Sequence, residues 1–141
     1  QPGHEVAGII DAVGDGVALA SGAHVVLEPV IGCGSCRYCR TGLHNLCPEM
    51  RICGFMRPGG MAELLTVPAD ALYATPHGIP AHIAALTEPM AVCVRGVRLA
   101  RLGLGERVAI LGAGSIGLLT ILAARAAGAA EVSITARHPH Q

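Results

Sequence analysis

The sequence contains no lysine: all ten of its basic residues are arginine. Either side chain serves most surface roles, so this absence carries no functional weight. Charge of any kind is scarce. Charged residues make up 14% of the chain, and the formal net charge is zero. With the arginines scattered, there is neither a basic footprint for nucleic acid nor an acidic tail. A bilayer span is missing too, because the longest apolar run, Val108 to Leu122, is interrupted by Gly112, Gly114, Ser115 and Gly117. The opening residues Gln1-Pro2-Gly3-His4-Glu5 lack an initiator methionine, a basic region and an apolar stretch, so no secretory signal is read there. No internal repeat or low-complexity tract is present. These absences favour small uncharged or weakly polar partners.

The 141 residues are 52% hydrophobic and include 19 glycines, which suits a folded α/β or β-rich core rather than a disordered chain. From Glu5 to Val30, short apolar stretches (Val6 to Val13, Val25 to Leu27) alternate with glycine turns and predict a meander of short strands. Residues 32–60 hold five of the six cysteines with no sustained period, so this loop needs something other than a core to order it. Met61 to Val67 reads as a strand and Pro68 to Pro80 as turns. His82 to Leu102 reads as mainly helical, with Pro89 a break or start point. Beyond Gly103 the order is strand (Arg107 to Leu111), glycine turn, helix (Ser115 to Ala127) and strand (Glu131 to Thr135). That is a βαβ unit with parallel strands and a right-handed crossover.

Cys33, Cys36, Cys39 and Cys47 are separated by two, two and seven residues, with Gly32, Gly34 and Gly42 among them. Thiolates at such spacings converge on a tetrahedral zinc when glycines let the backbone turn sharply. Two disulfides or an iron–sulfur cluster are the alternatives for the same residues. A zinc site with four protein ligands is closed, so it orders the loop and performs no chemistry. Cys53 lies outside the pattern and reads as a small buried thiol. His4 and Glu5 offer an imidazole and a carboxylate, a pair too common to indicate a metal by itself.

Gly112-Ala113-Gly114-Ser115-Ile116-Gly117 is a G-x-G-x-x-G that follows a predicted strand and opens a helix, the context in which it binds the pyrophosphate of a dinucleotide. Helix N-terminal amides at Ser115 and Ile116 then face the phosphate. A glycine-rich turn without a ligand is the plainer alternative. About 20 residues further on, where a carboxylate binds the ribose of NAD, stand Ala136 and Arg137. A cation there pairs with a 2′-phosphate, which favours NADP over NAD. Otherwise Arg137 is a solvated loop residue, as His138 and His140 are expected to be.

Taken together, GHEVAGIIDAVGDGV, CGSCRYCRTGLHNLC, GGMAELLTVPADALY, TEPMAV and RVAILGAGSIGLL follow one another in an order that resembles the zinc-containing medium-chain dehydrogenases, in their sorbitol, threonine and secondary-alcohol branch. The resemblance runs over essentially the whole chain. It implies an α/β protein: part of a β-rich GroES-like catalytic domain at residues 1–102, with a structural-zinc lobe at 32–48 and a connecting helix, then the start of a Rossmann dinucleotide-binding domain at 103–141. It implies structural zinc on Cys33, Cys36, Cys39 and Cys47. His4 becomes a catalytic-zinc ligand, Glu5 a ligand or a carboxylate close behind it, and Glu88 a residue reaching that metal directly or through water. Cys93 falls off the matching position and is expected to pack in its helix.

The implied activity is hydride transfer between a small alcohol or polyol and NADP or NAD, in a cytoplasmic enzyme that is a homo-oligomer at full length. The family's upstream cysteine ligand has no counterpart here, so the chain taken alone is expected to hold an incomplete catalytic zinc site and to be inactive. A non-catalytic zinc-binding module and a quinone reductase-like relative are the alternative readings.

Overall fold

The computed structural model describes residues 1–138; His140 lies outside them. Two compact units part at the Glu88–Pro89 bond.

In the first unit, β1 (Ala7–Ile9), β2 (His24–Leu27) and β5 (Leu72–Ala74) form an antiparallel sheet in the order β1-β2-β5. Its register pairs Ala7 with Val26 and Val26 with Tyr73. A second ribbon joins β3 (Val30–Ile31) to β4 (Arg51–Ile52). Between them lie the short helix α1 (Arg37–Arg40) and a 3₁₀ turn at His44–Leu46. Leu27, Cys53 and Ala71 form the core, with Val6, Ile31, Leu65, Val67 and Leu72 packed against them. Cys53 is fully buried, as expected of a small apolar thiol, and burial pushes its pKa up.

Residues 61–67 do not form the expected strand. Their alternation survives in part, since Leu65 and Val67 reach the core. A strand, however, needs a partner to take its amides and carbonyls, and no ladder along this stretch forms among the described residues. The stretch expected to be turns contains β5, whose pairing with β2 is set by residues far away in sequence. Helix α2 (Ala81–Ala84) follows, and α3 (Thr87–Leu99) starts with Pro89 in its first turn, where its missing amide leaves no bond unmade.

In the second unit, Met90, Cys93 and Val97 recur along one face of α3 and pack on Leu119 and Ala123 of α4 (Ser115–Ala126). Cys93 is buried and donates to the Ile116 carbonyl at 3.4 Å, so it packs as expected. Strands β6 (Arg107–Leu111) and β7 (Glu131–Thr135) flank α4 in sequence and pair in parallel, from Arg107 with Glu131 to Leu111 with Thr135.

The Tyr73 hydroxyl donates to the Glu28 carboxylate at 3.0 Å, and this bond with its neighbouring negative charge raises the phenol pKa. The neutral phenol is therefore favoured by the fold. Its contribution is complete below the ordinary tyrosine range and is lost as pH rises through the raised value. Tyr73 is half exposed, so the contribution stays below about 1 kcal/mol. In a Tyr38→Phe background, the ultraviolet absorbance of tyrosinate should report a single high pKa that falls in Glu28→Gln. An unchanged midpoint would refute the pairing.

Candidate functional site

Three groups of residues singled out in the sequence are each brought together by backbone geometry, two within a short segment or motif and one by the approach of distant segments. The first is the cysteine lobe. One ligand atom from each of Cys33, Cys36, Cys39 and Cys47 lies within 4.8 Å of the others, and all six cysteines of the chain are free. Backbone amides point at three of the sulfurs: Cys33 N–H to Cys47 Sγ (3.4 Å), Cys36 N–H to Cys33 Sγ (3.3 Å) and Cys39 N–H to Cys36 Sγ (3.5 Å). The last of these makes Cys36 the N-cap of α1, a place where an acceptor is needed in any case.

Two glycines in this lobe, Gly34 and Gly42, have φ of +75°, where a side chain would be strained. Gly32 acts differently. A Cβ there would stand 2.6 Å from Cys39 Sγ.

The thiols are electrostatically divided. The Ser35 hydroxyl, then the amides of Cys36 and Ser35, lower Cys33 to about 6, whereas burial pushes Cys39 up to about 12. Burial thus opposes the thiolate form that the amides favour. A divalent cation held here would resolve the conflict, because its charge deprotonates coordinating thiols outright. Tetrahedral zinc places its sulfurs about 3.8 Å apart, so the four side chains need only small adjustments to fit it.

The second group is His4, Glu5 and Glu88, whose ligand atoms also lie within 4.8 Å of one another. His4 and Glu88 are half-buried and Glu5 is exposed. Glu88 sits in the first turn of α3, where the helix dipole favours a carboxylate. His4 is placed by its neighbour Gly3, whose φ is +98° and whose carbonyl accepts from Gly60 N–H at 2.9 Å. Met61 N–H bonds the Pro2 carbonyl at 3.1 Å and Gly59 N–H the Gln1 carbonyl at 2.9 Å. A Cβ on Gly59 would overlap the Gly3 carbonyl, and one on Gly60 would overlap the Val6 side chain. The approach of the two segments therefore requires both glycines. An imidazole and two carboxylates at this separation are a donor set of the kind that could hold a metal ion. Cys93 is not in this group.

The glycine turn is the third. Gly112 has φ of +104°, and its N–H bonds the Thr135 hydroxyl at the end of β7 (3.0 Å). Gly114 caps α4 in an extended conformation with open space where a Cβ would project. Gly117 is buried, and a Cβ on it would overlap the Gly112 carbonyl. The three glycines thus turn the chain, leave room for a ligand, and let helix pack on strand. Ser115 and Ile116 are exposed in the first turn of α4, and Arg137 is exposed just past β7.

Several contributors were not singled out in the sequence: Ser35, Thr135 and Phe55, whose ring lies 5.0 Å from that of His4. Ser35 between two spaced cysteines was a readable signal. The others depend on folded proximity.

The alcohol dehydrogenase GroES-like domain matches residues 1–77, more than half of the chain. The chain belongs to the zinc-type medium-chain alcohol/polyol dehydrogenase family. It is 44% identical to a sorbitol dehydrogenase of Arabidopsis thaliana over 128 residues, covering 88% of this chain and 35% of that one. With D-altritol 5-dehydrogenase of Agrobacterium fabrum it shares 42% over 141 residues, covering 94% and 41%. Among solved structures, a Sinorhizobium meliloti protein classed as a zinc-binding dehydrogenase and bound to NADP superposes with a TM-score of 0.90 at 42% identity, over 99% of this chain and 41% of that one. The chain therefore spans well under half the length of these zinc-type dehydrogenases.

Because Gly32 touches Cys39, Gly32→Ala should displace that sulfur and weaken zinc retention by at least tenfold against a thiol-free chelator, while Gly34→Ser changes less through space than through backbone strain. Zinc release monitored with a chromogenic chelator checks this. Equal retention by Gly32→Ala and the parent chain would show that the close approach is not needed.

Proposed function

We propose that this chain is part of a zinc-dependent oxidoreductase that interconverts an alcohol or polyol and its carbonyl compound with NADP or NAD. The observation carrying the reading is the convergence of His4, Glu5 and Glu88 within 4.8 Å, in a chain whose family is that of the zinc-type dehydrogenases. The relatives' names, sorbitol and D-altritol dehydrogenase, support a polyol or a similar small alcohol as the substrate class.

In this reading Cys33, Cys36, Cys39 and Cys47 hold a structural zinc, and the amides aimed at their sulfurs stabilise the thiolates. His4 and Glu88 hold the catalytic metal from opposite ends of the first unit's sequence, and the exposed Glu5 ligates or tunes it. When bound, the metal would supply Lewis acidity toward the alcohol oxygen, and a nicotinamide would supply the hydride acceptor. Residues 1–102 form the catalytic portion and 103–141 open the Rossmann domain. There, Gly112, Gly114, Ser115, Ile116 and Gly117 receive the pyrophosphate at the N-terminus of α4. The open space at Gly114 supports that assignment.

Arg137 pairs with the 2′-phosphate of NADP. The Thr135–Gly112 bond supports this, because it ties the end of β7 to the turn that takes the phosphates. The parent enzyme is cytoplasmic and homo-oligomeric. No helix among the described residues is long and apolar enough to cross a membrane.

The test is zinc content per chain, followed by fluorescence titration with NADPH and NADH. About one chelation-resistant zinc and preferential NADPH binding support the proposal. Arg137→Ala should cut NADPH affinity roughly tenfold or more and leave NADH affinity unchanged. A zinc-free chain with paired cysteines would remove the lobe assignment, and equal loss for both nucleotides would remove the role of Arg137.

A further inference from the structure

A metal-binding histidine is ordinarily oriented by a hydrogen bond from its second ring nitrogen to a carboxylate, a carbonyl or water. Among the described residues no protein hydrogen bond reaches the His4 imidazole; its recorded side-chain contact is the Phe55 ring, with centroids 5.0 Å apart and planes tilted by 48°. Phe55 is the only phenylalanine of the chain, and it is 70% exposed, so burial in the core does not explain where its ring stands.

The backbone beneath it is tightly fixed. The Ile52 carbonyl receives the amides of Phe55 (3.2 Å), Met56 (2.8 Å) and Arg57 (3.2 Å), and Gly54 N–H bonds the Arg57 carbonyl (2.9 Å). Gly54 has φ of +81°, and a Cβ on it would come within 2.7 Å of the Gly3 carbonyl. The turn bearing Phe55 is therefore pressed against the residue that precedes His4. A few residues on, Gly60 N–H bonds the same Gly3 carbonyl. The two rings thus rise from one hydrogen-bonded backbone frame.

We infer that Phe55 is a positioning residue: its ring sets the orientation of the His4 imidazole, so that one ring nitrogen meets Glu5 and Glu88 before any metal arrives. This inference rests on reading those three residues as a metal-holding group. A tilted aromatic pair constrains both rings beyond what apolar contact alone provides, since ring edge and ring face attract in a preferred geometry. Phe55→Leu keeps apolar bulk and removes that geometry, whereas Phe55→Tyr retains it. Preorganisation of this size corresponds to roughly two- to tenfold in metal affinity.

The experiment uses the whole chain with its cysteine lobe loaded with zinc, in parent, Phe55→Leu, Phe55→Tyr and His4→Ala forms. Retention of the lobe zinc checks that each variant is folded. Carbon-13 relaxation of the His4 ring is measured without further metal, and calorimetric titration with additional zinc follows. The expected result is a rigid His4 ring in the parent and in Phe55→Tyr, a mobile one in Phe55→Leu, and two- to tenfold weaker uptake of the additional zinc in Phe55→Leu only. An equally rigid ring in Phe55→Leu, or equal loosening in Phe55→Tyr, overturns the inference. Parent and His4→Ala taking up additional zinc alike overturns the metal reading instead, which the ring mobility does not report.

Discussion

The gathering of four cysteine side chains within 4.8 Å, two of them buried, is the constraint on which the first unit's least regular segment depends. Amides and a serine hydroxyl favour thiolate at Cys33, while desolvation favours thiol at Cys39. The two influences oppose each other within one cluster, and a coordinated cation would favour thiolate at all four positions. The surrounding segment has almost no core of its own. Between β3 and β4 there is one four-residue helix, capped by one of the thiols, and a single 3₁₀ turn.

The group of His4, Glu5 and Glu88 is assembled by another means. No helix or strand delivers His4; a glycine at positive φ does, held by amide–carbonyl bonds to the Gly59–Met61 segment. Glu88 comes from the start of a regular helix, so a plastic ligand segment meets a stiff one. Close backbone approach is the cause, and it explains why Gly59 and Gly60 stand where any side chain would collide with residues 3 or 6. The glycine turn of the second unit follows the same logic, with Gly117 buried against the Gly112 carbonyl and Gly114 left open.

What could be read in the sequence was what is decided locally. The cysteine spacing, the bounds of β6, α4 and β7 and the burial of Cys53 and Cys93 depend on neighbours within a turn or two, or on plain apolarity. The misreadings share a different cause. Residues 61–67 have a strand-like pattern without a ladder, and Leu72–Ala74 form a strand in a stretch rich in turn residues because β2 lies beside them. Thr135 and Phe55 were invisible for the same reason: a hydroxyl bonded to Gly112 and a ring beside His4 exist only after segments distant in sequence have met. In the Pro89 region the local rule sufficed, since proline is tolerated in a first helical turn and little else there needs an amide.

The sulfur cluster closes a short loop, with Cys33 N–H reaching Cys47 Sγ across fourteen residues. The His4 group draws on the two ends of its unit and waits on the lacing of Gly3 to Gly60. Loop-closure entropy rises with the separation of the joined residues, so the two centres differ in when they can form during folding. The cysteine lobe closes a loop of fourteen residues and so depends least on the rest of the unit. The His4 group joins residues 84 positions apart and carries the larger closure cost, so loosening the surrounding sheet should disturb it before it disturbs the cysteine lobe.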